Sequence, residues 1–340
     1  MKRLFMYAPV ILLALFLLNS FVVKEKGAML KSTDGGKTWQ DISSEMPETG
    51  KSINFFAGGS DLYLQAKNGL YHSKGNIKTP VWEKVNVADP QNSSSRPPTA
   101  ITFNRSGVMA YNSQGQIYQK MRDADNWSPV FTNFKNSLMQ TIFETADGTV
   151  FIGYNHGLYR STDKGNHWRQ VQRAAVFNMV ESAGVLVATT MKGIIRSTDN
   201  GEHWHWAINE GGIGLAVEQI NGGFAAITYN TETKSRRIRT SFDHGKTWQA
   251  IDAGLRPSPS ISSIKQMGKY LISGHPDGIF RSADGGKTWN SVYPTVDRTD
   301  GNAFKFVLPW DASNEPEPRK VFKIFVSDKA LYAVAVKEGC

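Results

Sequence analysis

Ten basic and aromatic residues stand in polar stretches between predicted strands, where their side chains could bind an anion. Arginine suits this chemistry because its planar guanidinium donates two parallel hydrogen bonds to a carboxylate or a sulfate. Ser235-Arg236-Arg237 is the strongest candidate, since two adjacent arginines extend a long predicted hairpin. Alternation along a strand would direct these two side chains to opposite faces. The predicted ligand-binding residues are Lys67, Tyr154, His156, Arg173, Lys192, Tyr229, Arg236, Arg237, Arg256 and His275.

Two further patterns resemble phosphate or metal sites, but the residues around them support neither. Gly-Lys-Thr occurs at residues 36–38, 245–247 and 286–288, and the first glycine that a phosphate loop requires is missing from all three. His203 and His205 would share one side of a strand, as a metal pair does, yet no third ligand accompanies them. We therefore expect no metal and no cofactor.

A repeated motif, Ser-x-Asp-x-Gly-x-x-Trp, indicates which elements position these residues. The intact copies are residues 32–39, 161–168, 197–204, 241–248 and 282–289. Degraded copies end at Trp82 and Trp127. The seven terminal tryptophans lie about 42 residues apart, which is the length that four short strands and their turns require. The sequence therefore predicts an all-β chain that forms a single seven-bladed β-propeller.

The last copy shows why the motif favours a hairpin. Residues 278–282 alternate apolar and polar side chains, as a half-buried strand does. Asp284 can accept hydrogen bonds from the backbone amides that follow it, and Gly285 and Gly286 tolerate a positive φ. Trp289 then opens the next strand and can fold back over the hairpin. The motif residues are therefore predicted to be structural.

The repeated motif resembles the Asp-box, or BNR, repeat of sialidases, xyloglucanases, sortilins and the photosystem II assembly factor. In these families the box lies between strands three and four, opposite the usual ligand face, so the resemblance implies a ligand site at the other end. Sialidases also carry Arg-Ile-Pro in the first blade, and that string is absent here. Xyloglucanases use a cleft between two tandem propellers, whereas one propeller is predicted here. The layout is most similar to exported seven-bladed propellers of the photosystem II assembly factor type.

The first blade is predicted to be built from both ends of the chain. Residues 27–32 form a third strand with no first or second strand before them, and residues 321–326 and 330–336 supply two strands at the other end. The apolar stretch 304–310 is an alternative first strand. Building one blade from both ends of the chain removes the open sheet edges of an unclosed ring. Residues 24–340 are therefore predicted to form one propeller domain.

The N-terminus and the composition bound the location and the partners. Residues 1–23 combine a basic start with an apolar stretch that is short for a membrane span, so we expect a cleaved signal peptide, with a short N-terminal anchor as the alternative. Lys and Arg exceed Asp and Glu by 39 − 30 = 9, which suits anionic partners. Cys340 is the only cysteine, so no internal disulfide can form. We expect an exported monomer (periplasmic, extracellular or at the cell surface) that binds no nucleic acid and touches a membrane only through an uncleaved N-terminus.

Two functions stay open on this basis. The favoured one is a non-catalytic binding or assembly scaffold for an anionic glycan or an acidic protein surface. The alternative is a carbohydrate-active enzyme with its site at the propeller mouth. A glycoside hydrolase needs two carboxylates roughly 5 to 10 Å apart, and a uronate-type polysaccharide lyase needs a base, such as His156, Tyr154 or Tyr229, beside a cation that the arginines could supply. No motif spacing singles out such a site, so enzymatic activity is left open.

Overall fold

The computed structural model describes residues 28–48, 53–87, 98–112, 114–130, 138–209, 212–294 and 320–337. These residues form seven antiparallel sheets of four strands each, and the sheets stand in a ring as the blades of a β-propeller. One short 3-10 turn, Ser43–Glu45, is the single helical element of the described ranges. The predicted all-β fold and the predicted number of blades are confirmed.

Each blade has four strands, which we number one to four from the centre of the ring outward. The first strands along the chain are β1 (Met29–Ser32) and β2 (Gln40–Asp41) of blade 1, β3 (Asn54–Gly58), β4 (Asp61–Ala66), β5 (Gly69–Lys74) and β6 (Glu83–Val85) of blade 2, and β7 (Ala100–Phe103), β8 (Gly107–Tyr111), β9 (Ile117–Met121) and β10 (Ser128–Val130) of blade 3. Those of blades 4 and 5 are β11 (Met139–Glu144), β12 (Val150–Tyr154), β13 (Gly157–Ser161), β14 (Arg169–Gln172), β15 (Val176–Ser182), β16 (Val185–Thr190), β17 (Gly193–Ser197) and β18 (His205–Ile208). Those of blades 6 and 7 are β19 (Ile213–Ile220), β20 (Gly223–Asn230), β21 (Ser235–Ser241), β22 (Gln249–Ala250), β23 (Ser263–Met267), β24 (Tyr270–His275), β25 (Gly278–Ser282) and β26 (Asn290–Pro294).

Blade 1 closes the ring with both ends of the chain, as predicted. Its strands one and two are β27 (Lys320–Ser327) and β28 (Ala330–Lys337), and β28 pairs antiparallel with β1 from Met29 opposite Val334 to Ser32 opposite Leu331. The strand-one place is thus taken by β27, and the alternative at residues 304–310 lies outside the described residues. The predicted signal peptide, residues 1–23, also lies outside them. Among the residues that the structure does describe, no helix is long and apolar enough to cross a membrane.

All five intact motifs form the same turn. The serine hydroxyl accepts a hydrogen bond from the amide of the motif's glycine at 2.8–3.0 Å and donates one to the aspartate at 2.7–2.8 Å. The aspartate also accepts the amide hydrogen of the residue before the tryptophan. Positive φ is not confined to glycine: Lys164, Asn200 and His244 adopt φ of 58°, 57° and 63° where two other motifs have Gly35 and Gly285.

The seven tryptophans pack between blades rather than over their own hairpins alone. The buried apolar residues form seven clusters, each at one junction between neighbouring blades, and each cluster includes the tryptophan of the following blade. A blade is therefore covered on both faces, and a central strand such as β16 is buried at every position. Apolar surface buried in this way contributes about 25 cal/mol per Å², so the seven junctions hold the ring together.

A second contact between blades, which we call the latch, begins at the residue before the motif's serine. Arg160, Arg196 and Arg281 each donate from Nε to the carbonyl of the fourth motif residue in the next blade, at 2.8, 3.0 and 2.8 Å. In blade 1 the buried Lys31 ammonium donates to the carbonyls of Gly75, Ile77 and Lys78 in blade 2. The latches therefore join blades 4, 5 and 7, and the closing blade 1, to their successors.

Candidate functional site

The strand order places the loops of every blade at two opposite ends. Loops between strands three and four carry the Asp-box turns, and we call their end the box face. Loops between strands two and three, and the connections from blade to blade, lie at the other end, which we call the hairpin face. All ten predicted ligand-binding residues lie in or next to the loops of the hairpin face.

Three of these residues meet at a cleft at the junction of blades 6 and 7, which has a volume of about 460 Å³. One wall is the β20–β21 hairpin, and the other is the connection from β22 to β23, which runs from Asp252 to Ile261. Three of the predicted residues, Arg236, Arg237 and Arg256, line this cleft together. The hairpin thus brings its arginine pair to a pocket, as residues 235–237 suggested.

Arg237 is fixed by a bidentate ion pair. Its Nε lies 2.8 Å from the Asp252 Oδ2, and its Nη2 lies 2.9 Å from the Asp252 Oδ1. The Asp252 side chain is only 7% exposed and also accepts the Ile238 amide hydrogen at 3.1 Å. A buried carboxylate with these partners is costly to leave unpaired. Arg237 therefore serves the stability of the cleft wall as well as its charge.

Arg236 points away from Arg237, as strand alternation predicts, and is half-buried. Its Nη1 donates to the Ile261 carbonyl at 2.7 Å, and its backbone amide donates to the Ser258 carbonyl at 2.8 Å. Burial lowers the pKa of the Arg236 guanidinium from its usual value. Its Nε is buried without a hydrogen-bond partner in the described part of the chain, and no carboxylate there pairs with this side chain. Arg236 is thus the guanidinium of the cleft that no carboxylate of the described residues compensates.

Arg256 lies at the rim of the cleft, on a loop whose backbone is hydrogen-bonded by His275. The Arg256 guanidinium holds the Asp277 carboxylate through two nitrogens, with the Nε 2.9 Å from the Asp277 Oδ2. His275 is completely buried. Its Nδ1 accepts the Asp277 amide hydrogen at 3.1 Å, so its Nε2 carries the proton and donates to the Arg256 carbonyl at 2.8 Å. His275 therefore positions the rim rather than facing a ligand.

The remaining candidates lie on other blades. Tyr229 is half-buried beside Arg236 in the hairpin register. Lys67 in blade 2 forms an exposed ion pair with Glu48 at 3.2 Å. In blade 4 the buried Tyr154 stacks on the exposed His156, with ring centroids 5.7 Å apart.

Arg173 and Lys192 are exposed, in the connection after β14 and in the β16–β17 turn. The ten candidates therefore do not form one continuous basic mouth, because several of them are buried or paired with a carboxylate. Asp252 and Asp277, the carboxylates that organise the cleft, were not among the residues predicted from sequence. Asp252 pairs with an arginine 15 residues away and Asp277 with one 21 residues away, so no local motif identified them.

Comparison with known families agrees with the repeat. The sequence matches the BNR/Asp-box repeat at residues 30–41 and 239–250, in blades 1 and 6. No curated protein matches the sequence. The chain therefore carries BNR/Asp-box repeats on a seven-bladed propeller.

Several solved structures share the fold. YCF48 bound to a D1 peptide has a TM-score of 0.53 and 14% identity, over 92% of this chain and 98% of that one. Virginiamycin B lyase from Staphylococcus aureus, solved as an inactive variant with quinupristin, has a TM-score of 0.54 and 12% identity, over 86% of this chain and 98% of that one. The GH74 xyloglucanase from Xanthomonas campestris has a TM-score of 0.54 and 13% identity, over 74% of this chain but only 46% of that one. At these identities the likeness concerns the fold alone.

Proposed function

We propose that this Asp-box propeller is an exported binding protein that holds a partner protein on its hairpin face, with an acidic group of the partner in the cleft between blades 6 and 7. The observation that carries the proposal is the convergence of Arg236, Arg237 and Arg256 on that cleft. Two carboxylates compensate three guanidinium groups, which leaves 3 − 2 = 1 positive charge. A carboxylate of the partner would supply the missing negative charge.

The geometry favours binding over glycoside hydrolysis. A glycosidase uses two carboxyl groups, one as a proton donor and one as a base or nucleophile. Asp252 and Asp277 are instead each held by an arginine in a bidentate pair. The lyase alternative needs a base beside a cation: the candidate bases Tyr154 and His156 lie on blade 4, away from the arginine cleft, whereas Tyr229 is the register partner of Arg236 and is the one candidate base next to a cleft arginine.

Proteins of similar fold include both kinds of function. YCF48 was solved with a D1 peptide, whereas the GH74 protein is a xyloglucanase. These structures do not decide between the two, so the proposal rests on the cleft. A protein partner is preferred to an anionic glycan because one uncompensated guanidinium matches a single carboxylate better than a run of regularly spaced charges.

The test uses labelled, end-blocked pentapeptides whose central residue is aspartate, glutamate, asparagine or glutamine. Fluorescence anisotropy should show that the acidic peptides bind more tightly than their amide counterparts, and that added salt weakens the binding, since exposed charges are screened beyond about 8 Å at physiological ionic strength. Arg236→Met keeps the aliphatic packing and removes the charge, so it should weaken binding of the acidic peptides about tenfold. Lys246→Gln, in the box of the same blade, is the matched control and should have no effect. Equal binding of acid and amide peptides would contradict the proposal.

Export is a separate part of the proposal and rests on residues 1–23. Mature protein recovered from outside the cytoplasm should begin near residue 21, after removal of the apolar stretch. N-terminal sequencing of that fraction checks this. Soluble cytoplasmic protein that retains Met1 would exclude a cleaved signal without touching the binding proposal.

A further inference from the structure

The junction of blades 2 and 3 contains a second cleft, with a volume of about 260 Å³. Both blades carry a degraded motif, so this is the place where the repeat is least regular. The side chains that matter are Tyr63, His72, Glu83, Lys120, Asp125 and Trp127. None of them belongs to the arginine cleft between blades 6 and 7.

The cleft lies where a latch would lie if blade 2 followed the pattern of blades 4, 5 and 7. His72 precedes Ser73 and so occupies the place of the latch arginines. It does not reach blade 3. Its Nε2 lies 2.7 Å from the Oδ1 of Asp61 in its own blade, and Lys74 holds the same carboxylate at 2.7 Å. At this position blade 2 therefore has a shorter side chain than the latch arginines, and that side chain pairs within its own blade.

Blades 1, 3 and 6 also lack an arginine at this place: blade 1 uses Lys31 as its latch, and the junctions after blades 3 and 6 have other contacts. In blade 3 Gln119 donates to the Ser106 hydroxyl at 3.2 Å. In blade 6 the residue is Thr240, and the Trp289 Nε1 donates to the Ile251 carbonyl instead. The cleft between blades 2 and 3 therefore lies on the box face at the position of a latch, whereas the arginine cleft lies on the hairpin face.

The charges around this place are inverted relative to the junction of blades 4 and 5. There Arg160 and Arg169, which face each other across strands three and four, both pair with Glu202, the sixth residue of the next motif. Glu83 stands opposite His72 as Arg169 stands opposite Arg160. Asp125, two residues before Trp127, is the counterpart of Glu202.

Two carboxylates, Glu83 and Asp125, line the cleft together with two lysines, Lys84 and Lys120. Within the described residues no ion pair engages Glu83 or Asp125. The Lys84 side chain lies on the opposite face of β6 from Glu83. It packs against Gly69, where an added Cβ would lie 3.0 Å from the Lys84 Cε.

Aromatic rings provide the walls. The Tyr63 and Trp127 rings meet edge to face with centroids 6.1 Å apart. The latch of blade 7 shows how a guanidinium packs in such surroundings, because the Arg281 guanidinium lies 3.5 Å from the centroid of the Tyr270 ring. A guanidinium over an aromatic face is stabilised by the ring quadrupole and more so when water is displaced.

We propose that the cleft between blades 2 and 3 binds the guanidinium of an arginine side chain from a partner protein. The arginine would take the place that the chain's own arginines take in blades 4, 5 and 7. Glu83 and Asp125 would accept its hydrogen bonds, and the half-buried Trp127 ring would pack against its plane. This site is independent of the proposed carboxylate site, and lies at a different junction of the ring.

The probe is the blocked peptide acetyl-Gly-Arg-Gly-amide, compared with the same peptide containing citrulline, which has the same shape and no charge. Binding is followed by the NMR signal of the Trp127 indole, assigned with a Trp127→Phe variant. The arginine peptide should shift this signal and bind at least about tenfold more tightly than the citrulline peptide, since charge-assisted hydrogen bonds are the strong ones. Glu83→Gln and Asp125→Asn should each weaken binding, whereas Glu232→Gln, on the hairpin face of blade 6, should not.

A gain-of-contact variant makes the test decisive. His72→Arg should supply the latch from within the chain, raise the melting temperature and abolish binding of the arginine peptide. Its melting transition reports directly whether it folds. Three results would overturn the proposal: no shift with the arginine peptide, equal binding of the citrulline peptide, or a folded His72→Arg variant that binds as the native protein does.

Discussion

The junction of blades 4 and 5 and the junction of blades 2 and 3 are built from the same positions of one repeat, yet one is closed and the other open. At the first, Arg160 and Arg169 enclose Glu202, and the Arg160 Nε reaches the Asn200 carbonyl at 2.8 Å. At the second, His72 bonds within its own blade and a cleft of about 260 Å³ separates the polar groups. Arg160 and Arg169 are register partners, as His72 and Glu83 are, so at these positions the difference lies in side-chain length and charge, although β13–β14 has a bulge further along that β5–β6 lacks.

This contrast shows that an intact motif and a degraded motif differ in how they pair the polar side chains of the chain. Where the motif is intact, its serine hydroxyl and its aspartate carboxylate find partners within the turn, although the indole Nε1 of Trp39 is buried without a hydrogen-bond partner in the described part of the chain. Where the motif is degraded, Glu83 and Asp125 face a cleft without an ion-pair partner in the described part of the chain. Departures from local consistency tend to mark functional sites. The irregular blades are accordingly the ones to examine for partners.

The largest expected effect comes from opening the closed junction. Arg160→Ala removes a side chain that is 11% exposed, leaves the Asn200 carbonyl without its partner and leaves Glu202 paired with Arg169 alone, so it should lower the free energy of unfolding by about 2 kcal/mol. His72→Ala should cost less than about 1 kcal/mol, because Lys74 still pairs with Asp61. Urea unfolding measures both, with Arg160→Lys as an intermediate. Equal losses would mean that the two junctions do not differ as described.

The second effect compares an intact box with a degraded one. Asp284 accepts hydrogen bonds from the Thr288 amide and hydroxyl at 2.9 and 2.6 Å. Asp284→Ala should therefore lower the melting temperature by several degrees. Asp125→Ala, in the degraded motif of blade 3, should leave it nearly unchanged. Loss of peptide binding by a stable Asp284→Ala protein would show that the box is more than structural.

Acid should act on the intact boxes in the same direction. The hydroxyl of Thr288, followed by its amide, lowers the pKa of Asp284 to about 2 from the usual 3.8, and the amide and ring of His167 lower that of Asp163 to about 2. Because these pKa values are depressed in the folded state, the stabilisation is complete above the usual value and is lost as pH falls from about 4 towards 2. Melting temperatures recorded over this range should fall less steeply for Asp284→Asn. Parallel curves would assign acid unfolding to other groups.

The smallest effect concerns the turns themselves. Lys164 holds φ of 58° at the motif position where two other boxes have glycine. A side chain other than glycine is strained there, so Lys164→Gly should stabilise the protein by about 0.5 kcal/mol. Lys246→Gly, two positions further along its motif, relieves no positive φ and should not stabilise. Chemical unfolding of both variants separates relief of strain from removal of charge.

The sequence was sufficient for the architecture because the architecture repeats locally. The spacing of Trp39 to Trp289 predicted the blades, and the turn chemistry of each box predicted the hairpins. Partners across a junction were not predictable in the same way. Arg160 meets Asn200 only because the ring sets one blade beside the next.

The candidate site was predicted in outline only. Arg236 and Arg237 were identified from their place in a long hairpin, whereas the pairing of Arg237 with Asp252 depends on how the β22–β23 connection folds back. His275 has the composition of a loop ligand, and its complete burial follows from packing against Phe280 and the Arg256 loop. Charge can be counted in a sequence, but its compensation is a property of the folded chain.

Blade 1 has a consequence for how the ring is made during synthesis. Lys31 of β1 pairs with Tyr332 of β28, a separation of 332 − 31 = 301 residues. The inner edge of β1 therefore has no partner until β28 leaves the ribosome. Contacts at such long range form late and slowly. Until then the nascent chain presents an unpaired strand edge, which can join another chain. The ring therefore cannot close before β28 has been synthesised, and a chain stalled before that point should present the β1 edge to chaperones.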